Sequence, residues 1–166
     1  MRKSSKLTNH PVEALDGAIQ SFTAFVRSLP AAEMEPSSRE SWGPREVLIH
    51  LVFWHEQYAR IASAMARDKK PFLLKGSARA LNDAAVAREI NVPIDELLKR
   101  WTRAHERFSA VARSHRASEI RMPLRVGGKA WPVADLIRIA AGHIRRHHAK
   151  LQNRRRFFEI RTKAWR

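Results

Sequence analysis

His143 and His147 stand four residues apart in the stretch "HIRRHH". An α-helix advances about 100° per residue, so with Leu136 as reference His143 falls about 20° to one side and His147 about 20° to the other. Both lie within the apolar stripe of Leu136, Ala140 and Leu151. Arg145 then points about 180° away, and Arg146 and His148 flank the stripe. Two histidines at i, i+4 on one helical face can ligate one ion. The same spacing also suits hydrogen-bonded core histidines, and the pair alone does not choose between the two. A further histidine upstream bears on the choice. In "LIHLVFWHEQY", His50 falls about 60° from Val47, inside a wide core-facing sector. His55 lies about 80° out on the opposite flank, where a structural or surface role is expected, and Glu56 faces outward. Three imidazoles with an open position are the pattern of a catalytic zinc-like site, which lowers the pKa of bound water. Imidazole also suits nickel and iron, so the ligand type admits zinc, nickel or iron.

Two aromatic residues join these candidates. Tyr58, the single tyrosine, follows Trp54 by one turn on the pocket side of the same helix. Trp54 and Tyr58 are read as lining a substrate pocket. Tyr58 and His50 are the candidates for proton transfer, or for activating water if no metal is used. His105 and His115 are expected at an edge or on the surface.

Helices must position these side chains. Four long segments carry a helical period, and none alternates as a strand would. The first runs from about Pro11 to Leu29, with Leu15, Ile19, Phe22 and Val26 on one stripe. The second opens at "SWGPREVL", where Pro44 suits a first helical turn, and stops before Lys69. The third follows "NVP" with Ile94, Leu97, Trp101, Phe108 and Val111 on its stripe, and the fourth starts near Pro132 and reaches the 150s. Between the second and third lies a long connection with room for a short helix over 77–90. "RMPLRVGGKAWP" reads as a turn region with room for a short extended piece. These lengths predict an all-α four-helix bundle with a long crossover between helices two and three. Such bundles build metal and ligand sites from facing helices. Residues 1–10 are expected as a basic tail, 11–155 as the bundle, and 156–166 as a basic C-terminal extension.

Composition narrows the function classes. The 166 residues suffice for one domain with a sizeable core. Cysteine is absent, which excludes disulfides and thiolate metal sites. No stretch approaches the ~20 apolar residues of a membrane span, and the N-terminus lacks the apolar run of a signal peptide, so a cytoplasmic protein is expected. There is no G-x-x-x-x-G-K-[ST] loop and no G-x-S-x-G elbow, which sets aside P-loop NTPases and α/β-hydrolases. The 32 Lys+Arg against 16 Asp+Glu give a formal charge of +16. Such a charge raises the prospect of a polyanion partner. The alternative reading is therefore a basic DNA- or RNA-binding module without enzymatic activity, acting through Arg145, Arg146, Arg154, Arg155 and Arg156.

The order and spacing of several pieces resemble the DinB superfamily, and more narrowly its ClbS/DfsB branch. The pieces are "HLVFWHEQYARIASAM", "KKPFLLKG", Asn82 within "ALNDAA", "IDELLKRWTRAHERF" and "WPVADLIRIAAGHIRRHHAKL". Together they span about Pro11 to Arg155. The resemblance implies a four-helix bundle whose divalent-metal ligands are His50, His143 and His147. It also implies detoxification or self-resistance, by hydrolysis or transfer on an electrophilic small molecule. The branch takes its name from a protein that hydrolytically opens the cyclopropane of colibactin, and within it a metal need not be required. The superfamily also includes metal-dependent thiol transferases. A homodimer is a further expectation. The basic tail "RRRFFEIRTKAWR" is no part of the pattern and leaves room for contact with DNA.

Overall fold

The computed structural model describes residues 11–37 and 41–163, with side chains up to Phe157. The described residues form five α-helices: α1 (Pro11–Ser28), α2 (Pro44–Met65), α3 (Ala78–Glu89), α4 (Ile94–Arg113) and α5 (Val133–Lys163). Four of them make the bundle, with α2 packed chiefly on α4 and α1 chiefly on α5. The short α3 lies in the crossover and packs on α2, in the segment expected to hold a short helix. No described helix is long and apolar enough to cross a membrane.

Local chemistry sets the helix ends. Pro44 occupies the first turn of α2, and the Glu46 carboxylate reaches back to the backbone N–H groups of Gly43 and Ser37, donors that the helix itself cannot satisfy. Past the end of α2, Asp68 takes a left-handed conformation (φ 55°) that breaks the helical path. The Ser77 hydroxyl accepts the Ala80 N–H at 3.1 Å and starts α3. Acidic Asp95 and Glu96 lie in the first turn of α4 and Arg113 in its last, both favourable to the helix dipole.

The turn region before α5 is a hairpin, β1 (Arg121–Pro123) against β2 (Ala130–Pro132), with Met122 opposite Trp131. Gly127 supplies the positive φ of 71° that its loop needs. The hairpin joins the crossover where the Val126 N–H meets the Leu74 carbonyl at 2.8 Å. The hairpin thus gives form to the extended piece expected here. The last helix runs past its expected end, through most of the segment 156–166 read as a separate extension, to Lys163. No glycine or proline interrupts that stretch.

The core centres on fully buried Phe22, Trp101 and Phe108, with Leu15, Leu48, Ile61, Leu97, Ile137 and Ile144 around them. The edge of Trp101 meets the Phe22 ring at 5.7 Å, the favoured aromatic arrangement.

Candidate metal centre

The α2 and α5 helices bring three imidazoles to one point. His50 Nε2 lies 3.1 Å from His143 Nε2, which lies 3.0 Å from His147 Nε2. One nitrogen from each ring falls within 4.8 Å of the others. His50 is buried, and the other two are half-buried. The seam of α5 runs through Ile137, Ala141 and Ile144, so His143 and His147 border the core on the side facing α2.

The fit to an ion rests on the protonation of these rings. The Asn82 carboxamide oxygen, carried by α3, accepts the Trp54 Nε1–H at 2.7 Å and stands 3.1 Å from His50 Nδ1. An indole nitrogen can only donate, so the atom facing it must be the oxygen. His50 therefore carries its proton on Nδ1, and its Nε2 lone pair points at the other two rings. This is the outer partner that metal-binding histidines ordinarily have. Burial, followed by the neighbouring His143 and His147, lowers the His50 pKa to about 3, against the opposing pull of Asn82. Burial, then His147 and Arg146, takes His143 to about 4. His147 is lowered by burial, Lys150 and Arg146. All three rings are neutral near pH 7 and present lone pairs. Metal–nitrogen bonds near ~2.1 Å place adjacent ligand nitrogens roughly 3.0–3.4 Å apart; the His50–His143 and His143–His147 separations fall in that span, and all three nitrogens lie within 4.8 Å of one another. The three-histidine group can hold a metal ion.

The other expected residues divide. Trp54 adjoins the centre through Asn82, and its ring is buried. Tyr58 is also buried, but its ring contacts run to Trp54, His55 and Phe108, toward α4. Burial raises its pKa and keeps the phenol protonated. His55, placed on a flank by helical angle, is 2% exposed. It sits among Tyr58, Trp101, His105 and Phe108, with ring centroids 5.8–6.1 Å away. Its Nε2 finds no hydrogen-bond partner. Burial and the His105 charge lower its pKa to about 3. The second helix is buried on both flanks, which a single-stripe reading misses. His105 is half-buried and bonded to Asp16 at 2.6 Å, while His115 is exposed. His148 packs its ring on Phe25 (4.8 Å) and Phe22 (5.7 Å).

A cleft of about 590 Å³ opens on His147, a volume usual for small-molecule sites. Trp42, Val47, Lys150, Leu151 and Arg154 form much of its wall. The Trp42 ring lies 5.2 Å from the His50 ring, so this residue touches both cleft and centre. Sequence reasoning did not place Trp42 or Lys150 at this cleft, and it gave Arg154 to the nucleic-acid reading alone. The i, i+3, i+7 spacing of His147, Lys150 and Arg154 was the available signal.

The five arginines of the nucleic-acid reading also separate. Arg154 donates to the Trp42 carbonyl at 2.7 Å and the Ser41 hydroxyl at 2.9 Å, and Arg155 pairs with Glu33 at 3.5 Å. Arg145, Arg146 and Arg156 are exposed.

Comparison with known proteins adds three findings. The family model of the DinB superfamily matches residues 14–151. The fold is similar to the crystal structure of the mycothiol-dependent maleylpyruvate isomerase, with a TM-score of 0.67 and 14% identity over 85% of this chain. The match covers 59% of that structure's chain. No curated protein matches the sequence.

Proposed function

The chain belongs to the DinB superfamily, and from that premise we propose that it is a metal-dependent enzyme acting on an electrophilic small molecule by hydrolysis or group transfer. The carrying observation is the convergence of His50, His143 and His147 with the His50 tautomer set by Asn82. A divalent ion held there (zinc, nickel or iron) would supply Lewis acidity toward a carbonyl or a leaving group. His50, His143 and His147 are the ligands in this reading. Asn82 holds His50 in its ligating tautomer, and Trp54 shares that oxygen and fixes it in turn. Tyr58, packed behind Trp54 and kept protonated, holds the tryptophan in place. The cleft at His147 admits the substrate, and Trp42 shields the inner side of His50 from water. The structural neighbour is named for an isomerase reaction on a small molecule, which supports the enzyme class. The resemblance to the ClbS/DfsB branch supports a role in detoxification or self-resistance.

Metal analysis of protein purified without a histidine tag tests the reading. We expect about one bound ion per chain after exposure to zinc, nickel or iron, and its loss in His143→Ala. Negligible metal in the wild-type protein, unchanged in the variant, would overturn it.

A further inference from the structure

Beyond the metal ligands, the cleft has a chemical character of its own. Among its described lining residues the two cations, Lys150 and Arg154, follow His147 on the same face of α5, and there is no carboxylate. The Arg154 guanidinium is half-buried, and its two described hydrogen bonds end on neutral acceptors, the Trp42 carbonyl and the Ser41 hydroxyl. Those bonds orient the group, no carboxylate among the described residues pairs with it, and it has further N–H donors to offer. Two described acids of this region are committed elsewhere. Glu33 pairs with Arg155, and Glu46 accepts from the backbone of Ser37 and Gly43. Lys150 is exposed and lines the same cleft as His147 and Arg154. The cleft also has apolar surface: buried Val47 and Leu151, and the half-buried ring of Trp42.

We propose that this cleft, on the reading of the metal centre above, binds an organic oxyanion. The carboxylate or phosphate of the substrate sits between Lys150 and Arg154, and its apolar or aromatic body lies on Trp42, Val47 and Leu151. An oriented, partly desolvated guanidinium recognises planar oxyanions by paired N–H bonds, and the ammonium adds a point charge. The acidic group anchored there leaves the rest of the molecule directed along α5 toward His147, one turn and two turns away from the two cations.

Calorimetry with phenylacetate, phenyl phosphate and phenylacetamide tests this, on the full chain, both zinc-loaded and stripped with chelator. Both acids are expected to bind in the millimolar range or better, and the amide roughly tenfold more weakly. The tighter of the two acids identifies the oxyanion. Lys150→Gln and Arg154→Gln are each expected to weaken acid binding by roughly tenfold and to leave amide binding unchanged. Arg145→Gln, an outward charge change of the same size, is expected to stay within about twofold. Circular dichroism and metal content are read on the same samples. Lys150 is exposed, so its variant keeps the test sound if Arg154→Gln disturbs the Trp42 segment. Equal binding of acid and amide, absence of acid binding, or an equal loss in Arg145→Gln overturns the proposal. Acid selectivity in a chain that takes up no metal upholds the cleft and sinks the metal centre. Metal uptake without acid selectivity does the reverse.

Discussion

Asn82 puts one oxygen between two N–H donors, and both donors belong to side chains at the centre of the chemistry. Removing it strands the Trp54 indole N–H and frees the His50 ring to change tautomer, which would turn a proton instead of a lone pair toward His143. Loss of such a partner typically weakens metal binding 10–100-fold. Asn82→Ala is therefore expected to lower zinc affinity by roughly that factor in competition with a chromophoric chelator, with the helical circular dichroism kept. An affinity equal to that of the wild type would contradict the assigned tautomer. At this scale the sequence was partly legible. Helical arithmetic alone sets His143 and His147 on one face, and His50 inside the facing helix. Asn82 entered only through the family resemblance. Its contribution depends on the crossover folding α3 back onto α2, a tertiary event that no local period records. His55 shows the opposite failure, because an angle measured from one stripe cannot show that a second helix covers the flank.

Among the elements, α2 depends on its first turn being held from several directions. The Arg45 guanidinium donates to the carbonyls of Met34, Ile90 (2.9 Å) and Val92 (3.1 Å). It thus joins the 3-10 turn after α1 to the joint between α3 and α4. Hydrogen bonds from a charged donor contribute about 1.5–3 kcal/mol each and do not simply add, so Arg45→Met is expected to cost on the order of 3 kcal/mol. For a chain of this size that corresponds to a fall in Tm of roughly 6–12 °C by calorimetry. A change under about 2 °C would show that these carbonyls are as well served by water. Pro44 and the "NVP" before α4 announced their helices in the sequence because they act within one turn. The continuation of α5 past the 150s was hidden for the converse reason. Beyond Leu151 the chain is mostly polar, so no apolar stripe marks where the helix continues, and its persistence follows from residues that favour a helix and the absence of breakers.

For the molecule as a whole, the excess of arginine has an internal use. Arg45, Arg154 and Arg155 tie separate segments together, and so do Arg100 between Glu56 and Glu89 and Arg116 against Asp68. Part of the +16 charge is thus structural, a use that composition cannot distinguish from a nucleic-acid surface. Buried histidines also set how the whole fold answers acid. The folded pKa of His55, about 3, lies below the ordinary 6.5. As pH falls below 6.5 the unfolded chain takes up a proton that the folded chain refuses. The stability is present above that pH and is lost on the way down to about 3, at about 1.4 kcal/mol per pH unit. In metal-free protein His50 adds to the same slope. Urea unfolding across this window is expected to show a shallower loss in His55→Leu than in the wild type, by about that slope. Parallel curves would mean that His55 is protonated in the folded state. Finally, α5 is one uninterrupted rod of 31 residues, so its two centre histidines and its cleft cations share a single phase. A one-residue insertion between His147 and Lys150 would turn everything downstream by about 100° while leaving the imidazoles in place. A change of seven residues nearly restores the angle. Length variation after His147 is therefore quantised: one indel would remove the proposed oxyanion anchor and leave His50, His143 and His147 converged.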